Sequence, residues 1–122
     1  MQRRQRLSRS RDFDAVYRQG RSASTRFLVL YWFARERGDE GDDARLGIAV
    51  PRKVGGAVVR NTVKRQLREA WTSLLPYVPV GNDYVLIVRD GLPDAVEAQG
   101  FAWLEERVRE VVEKVGQEKA AA

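Results

Sequence analysis

Between residues 51 and 71 the segment PRKVGGAVVRNTVKRQLREAW carries six cations, Arg52, Lys53, Arg60, Lys64, Arg65 and Arg68, against the single carboxylate of Glu69. Guanidinium and ammonium groups at this density bind phosphate oxygens, each contact displacing counterions and adding salt-dependent affinity without sequence preference. The plain alternative is a charged solvent face with no partner. A solvated helix face usually mixes signs, whereas Arg60, Lys64 and Arg68 stand four residues apart and repel one another by roughly 0.2–0.5 kcal/mol per pair. An anion outside the helix would offset that repulsion.

The element that positions these cations is an amphipathic helix. At about 100° per residue, Val59, Val63, Leu67, Ala70, Trp71 and Leu74 fall within roughly 120° and form the buried stripe. Arg60, Asn61, Lys64, Arg65 and Arg68 occupy the other side, with Arg60 and Lys64 nearest the apolar edge, where long stems lie along the protein and heads project outward. The helix should end near Leu75, before Pro76. Gly55 and Gly56 precede it and leave its first N–H groups facing outward, a weak anion signal that nearby Arg52, Lys53 and Arg60 strengthen.

Around this helix the chain divides readily. Ser10 caps a first helix with Asp12 in its first turn, and Gly20 ends it; Phe13 and Tyr17 stand four apart on one face. Residues 25–33 form a strand that is apolar on both faces and so central in a sheet. Residues 36–43, rich in Gly and Asp, form a loop, and 45–50 return with Leu46, Ile48 and Val50 on one face. Gly47 and Ala49 make the other face small enough for close approach. A third strand follows at 84–89, a turn at 90–93 and a last helix at 101–115, with Leu104, Val108, Val111, Val112 and Val115 as its stripe. The order α-β-β-α-β-α predicts an α/β (α+β) two-layer sandwich, a single mixed sheet with packed helices. Residues 1–122 are expected to be one domain, with a flexible basic arm at 1–6 and a flexible tail at 116–122.

Composition narrows the chemistry further. There is no histidine and no cysteine among the 122 residues, which removes the commonest general base, the commonest zinc ligands and any disulfide. No catalytic residue is assigned. Asp42 and Asp43 are adjacent carboxylates without a third ligand, so no metal site is assigned either. No apolar run approaches the roughly 18–20 residues that span a bilayer, and the basic N-terminus is not followed by the apolar core of a signal peptide. A cytoplasmic protein with no membrane partner is expected. Residues 1–75 hold 17 Lys or Arg against 8 Asp or Glu, a net of +9, while 76–122 hold 5 against 9, a net of −4. One region faces a polyanion and the other solvates. Of the 22 cations 18 are Arg, which suits bidentate phosphate contact, although a GC-rich coding bias gives the same excess.

The run VVRNTVKRQLRE at 58–69, preceded by RKVG at 52–55, resembles the arginine-rich motif of the bacterial ribonuclease P protein subunit. Leu7, Ser10, Arg11, Asp12, Phe13, Val16, Tyr17, Gly20 and Arg21 are similar in kind and spacing to that family's opening helix, and the likeness extends over about residues 7–115. Gly56 stands where family members often carry a polar cap, and Thr62 where a basic residue is common. The resemblance implies a left-handed crossover through the basic helix, where general rules favour a right-handed one. It further implies that Arg52, Lys53, Arg60, Asn61, Lys64, Arg65 and Arg68 hold a catalytic RNA. A groove between the first helix and the open sheet face would receive the single-stranded 5′ leader of precursor tRNA, through Phe13, Tyr17, Tyr31, Phe33, Lys53 and Arg89. Hydrolysis would then belong to the RNA, with Mg²⁺ held mainly by RNA phosphates, and no DNA partner is expected.

Read without the resemblance, Phe13 and Tyr17 are either core residues or a stacking surface beside a positive groove, and both readings stand. The rival functions are a structural RNA-binding protein, such as a ribosomal component, with no part in cleavage, and a protein-only nuclease using Asp42 and Asp43. The charge asymmetry yields one prediction independent of all three: anions that bind only the folded state stabilise it by mass action. The melting temperature should rise when sulfate replaces an inert solute at equal osmolality; an unchanged value contradicts a polyanion-facing surface.

Overall fold

The computed structural model describes residues 6–7, 10–34 and 44–121, with the side chains at 10–12 and 117–121 outside the described set. The expected loop at 36–43, with Asp42 and Asp43, and the side chains of Ser10, Arg11 and Asp12 therefore lie outside the described residues. Four helices and four strands are described: α1 Ser10–Gln19, β1 Arg21–Ser24, β2 Leu28–Ala34, β3 Arg45–Ala49, α2 Ala57–Leu74, β4 Asn82–Val88, α3 Leu92–Gln99 and α4 Phe101–Ala121. Short 3₁₀ turns at Arg52–Val54 and Leu75–Tyr77 bracket α2.

The strands form one mixed sheet in the order β1-β2-β4-β3. β2 pairs antiparallel with β1 and β4, and β3 pairs parallel with β4. The alternation of side chains across a strand gives the sheet two different faces. Leu28, Leu30, Trp32, Leu46, Tyr84, Leu86 and Val88 face a core shared with Val63, Leu67, Ala70 and Trp71 of α2, Leu92 and Val96 of α3, and Leu104, Val108, Val111, Val112 and Val115 of α4. The opposite face carries Tyr31, Phe33, Ala49, Val85 and Ile87 and packs with Leu7 and with Phe13 and Val16 of α1. Trp71 meets Tyr84 edge-on, ring centroids 5.1 Å apart, and so ties α2 to β4.

Because β3 and β4 are parallel, the chain crosses the sheet between them, and α2 makes the crossing. Its hand follows from chirality. The Leu46 carbonyl accepts from the Leu7 N–H at 2.9 Å on the edge away from β4, while the Leu46 side chain lies in the core beneath α2. For an L-residue in an upward strand with its side chain toward the viewer, N–H and C=O point right. β4 therefore lies left of β3, and a crossing in front that steps left is left-handed, against the general preference.

Several boundaries differ from the sequence reading. The expected strand at 25–33 begins only at Leu28, and a further strand, β1, precedes it: Thr25 donates its N–H to the Leu28 carbonyl at 2.8 Å and closes a turn between β1 and β2. The sequence of β1, RSAS, has no apolar alternation to mark a strand; pairing with β2 holds it. The expected turn at 90–93 begins α3, since Pro93 is tolerated in a first helical turn. α4 runs on past Gly116 to Ala121, over Glu, Lys and Ala residues that favour helix. The arm expected over 1–6 is pinned at Arg6, which pairs in parallel with Leu46; residues 1–5 lie outside the described set. Val59, expected in the buried stripe, is 40% exposed, because the first turn of α2 opens onto a cleft beside Pro93 and Phe101.

At the start of the parallel pair, Arg45 donates to both carboxylate oxygens of Asp83 at 2.8 and 2.7 Å, with Asp83 buried. Removing one member of such a largely buried pair takes two charge-assisted hydrogen bonds from the other. Asp83→Asn should cost about 3 kcal/mol in denaturant unfolding, and a loss under about 1 kcal/mol would show that the pair does not anchor the crossing.

Candidate nucleic-acid interface

On the outward side of α2, Arg60, Lys64 and Arg68 are half-buried while Asn61 and Arg65 are exposed. The stems of the first three lie against the protein, and Arg60 Nε is buried with no hydrogen-bond partner among the described residues. Glu69 Oε1 lies 3.6 Å from Arg65 Nη1, both side chains more than half exposed, so the pair is screened by solvent and leaves the cationic face intact. Arg52 and Lys53 project from the exposed 3₁₀ turn that leads into α2. Lys53 Nζ is 3.8 Å from Asp90 Oδ2, again with both groups largely in solvent. Gly56 caps the helix in an extended conformation without a side-chain hydrogen bond, and the first turn holds no acidic residue. Burial first, and then the Arg6 guanidinium, lower the Arg68 pKa below its ordinary value.

The second candidate surface is the opposite sheet face, which α1 alone among the described helices covers. Phe13 sits half-buried with its ring over Gly47: a Cβ built there would come within 2.4 Å of Phe13 Cζ, so the small residue admits the ring. Tyr17 is 41% exposed and meets Tyr31 edge-on, centroids 5.4 Å apart. Burial and the neighbouring Tyr31 push the Tyr17 phenol above its usual pKa. Tyr31, Phe33, Ala49 and Ile87 are half-buried on the same face. Lys53 and Arg89 come together with Arg26, Pro51, Ile87, Val88 and Asp90 around a cleft of about 360 Å³. Arg89 is held there by its Nη1 donating to the Thr25 carbonyl at 3.0 Å.

The structure thus sorts the residues named from sequence into two groups. Arg60, Asn61, Lys64, Arg65 and Arg68 stand on the helix side, whereas Phe13, Tyr17, Tyr31 and Phe33 stand across the sheet, and Arg52 and Lys53 sit on the turn between β3 and α2. Sequence reasoning missed Arg26, which it placed inside a strand, and Arg6, which it assigned to a loose arm. Neither carried a side-chain signal, because a main-chain turn and a main-chain bridge position them. Among the described residues no group of three or more Asp or Glu is arranged to hold a metal ion, and no helix is long and apolar enough to cross a membrane.

A family model described as Ribonuclease P matches residues 1–116. The ribonuclease P protein component of Brevibacillus brevis is 40% identical over 114 residues, 93% of this chain and 85% of that protein. A Bacillus cereus counterpart is 37% identical over 89 residues, 73% of this chain and 75% of the relative. The solved RNase P protein from Thermotoga maritima superposes with a TM-score of 0.78 at 33% identity, over 89% of this chain and 96% of that one. The Staphylococcus aureus RNase P protein gives 0.77 at 28% identity, over 91% and 94%. Agreement in sequence and fold across nearly the whole chain establishes that the protein belongs to the ribonuclease P protein component family.

Proposed function

We propose that this chain, as the protein component of a ribonuclease P, holds the catalytic RNA with the basic face of α2 and the single-stranded 5′ leader of precursor tRNA in the groove beside α1. The observation that carries the reading is the division of the molecule into two unlike polar surfaces. One presents cations on a helix, suited to the phosphates of a folded RNA. The other presents half-buried aromatic rings beside Lys53, Arg89 and Arg26, suited to unstacked bases with their backbone along the rim.

Stacking on an aromatic face contributes about 1–3 kcal/mol per base and tolerates any sequence, which fits leaders of varied sequence. Tyr17 and Tyr31 are the rings best placed for this, since Tyr17 is exposed and Tyr31 supports it edge-on. Phe13, whose ring covers Gly47, shapes the floor. Lys53 sits where the two surfaces meet and is assigned to the leader's phosphates. In this reading magnesium is held mainly by RNA phosphates, and the hydrolytic step belongs to the RNA. The protein's contribution is to bind, to neutralise charge and to hold leader and catalytic RNA in register in the cytoplasm.

Cleavage of a leader-bearing precursor tRNA at low magnesium should be much faster with bacterial ribonuclease P RNA plus this protein than with the RNA alone, and absent with the protein alone. No enhancement despite tight RNA binding would move the weight to a structural RNA-binding role. Arg60→Ala with Arg68→Ala should lower the salt dependence of catalytic RNA binding by roughly two units of log–log slope. An unchanged slope would remove α2 from the interface.

A further inference from the structure

The N-terminal strap lies beside β3, with Arg6 in parallel register with Leu46 and the Leu7 N–H donating to the Leu46 carbonyl at 2.9 Å. Neighbouring side chains on an extended strand point to opposite faces. Leu7 goes to the α1 side, buried with Val16 and Val85 against Phe13. Arg6 goes to the α2 side, where it lines a cleft of about 500 Å³ with Arg65, Arg68, Glu69, Thr72 and Ser73. Three guanidinium groups from two separate elements therefore converge on one concave surface.

The other groups lining that cleft do not balance them. Among the described residues Glu69 is its single carboxylate, 3.6 Å from Arg65 and largely in solvent. Thr72 Oγ1 donates to the Arg68 carbonyl at 2.8 Å. Ser73 Oγ lies 2.8 Å from the Ala70 carbonyl and 2.6 Å from Glu105 Oε2, so its hydroxyl is engaged within the protein. The guanidinium N–H groups are the donors left facing the cleft, and the pKa of Arg68 is lowered in part by Arg6. Like charges so crowded are stabilised by a bound anion, and forked donors from several sides match the oxygens of a phosphodiester.

We propose that Arg6, Arg65 and Arg68 form a phosphate site for the backbone of the catalytic RNA, in which the N-terminal strap grips the RNA together with α2. The proposal rests on the reading that α2 faces that RNA. Main-chain pairing and buried Leu7 hold the strap, so Arg6→Ala removes the charge and leaves the strap in place.

The test is binding of bacterial ribonuclease P RNA by the full chain across a salt series, for Arg6→Ala, Arg6→Lys, Arg60→Ala with Lys64→Ala, and the α4 control Arg109→Ala, each checked for an unchanged melting temperature. Arg6→Ala should weaken binding roughly 3- to 10-fold at low salt and lower the slope by about one. Arg6→Lys should recover the slope and only part of the affinity, and the control should match the parent chain. An Arg6→Ala chain identical to the parent, while Arg60→Ala with Lys64→Ala loses affinity, overturns the site and leaves the wider function standing. If both are identical to the parent, the RNA-facing helix falls and the site with it. If Arg6→Ala diminishes stabilisation by inorganic sulfate yet leaves RNA binding untouched, the cleft is an adventitious ion site only, and the proposal is wrong.

Discussion

The parallel pairing of β3 with β4 is the constraint on which the rest of the molecule depends. Parallel neighbours cannot be joined by a hairpin, so the chain must traverse one face of the sheet, and the segment that does so is α2. Its stripe of Val63, Leu67, Ala70, Trp71 and Leu74 is buried by that crossing, which forces the cations between and beside those positions outward together. The crossing also assigns the faces. With α2, α3 and α4 sharing one side, the other is left to α1 and the arm residue Leu7, and part of an aromatic sheet face stays within reach of solvent.

Such an arrangement carries an electrostatic cost that the described residues do not cancel. The contacts from Arg65 to Glu69 and from Lys53 to Asp90 are exposed and long, worth under about 1 kcal/mol each. By contrast, the bidentate Arg45–Asp83 pair is largely buried and links β3 to β4. The buried pair thus serves the architecture, most cations on α2 have no internal counter-charge among the described residues, and Glu106 and Glu113 of the neighbouring α4 lie in solvent. This division matches the charge asymmetry between 1–75 and 76–122.

Much of this was legible in the residues. The 3.6-residue period of α2 and α4 named their core positions almost entirely, and the small residues Gly47 and Ala49 correctly announced a close neighbour on their face, which proved to be the Phe13 ring. What could not be read is held by backbone rather than by side-chain pattern. β1 has only Ala23 against the core, so its pairing with β2 left no apolar rhythm. α3 was hidden by Pro93, a residue that marks a turn and a helix start equally well. Arg6 resembled its charged neighbours until the Leu46 bridge placed it. Val59 kept the period of the stripe yet lies beyond the sheet's cover, a tertiary fact that local spacing does not encode.

The central claim is that the two sides of the sheet meet two different RNAs. Since the chain contains no cysteine, a single one can be introduced at Ala49 in the groove or at Asn61 on α2 and labelled with a photo-crosslinker. The assembled complex with catalytic RNA and leader-bearing precursor tRNA is then irradiated and its crosslinks mapped. The account predicts leader nucleotides crosslinked from position 49 and catalytic RNA from position 61; catalytic RNA alone from position 49, or leader from position 61, would contradict it.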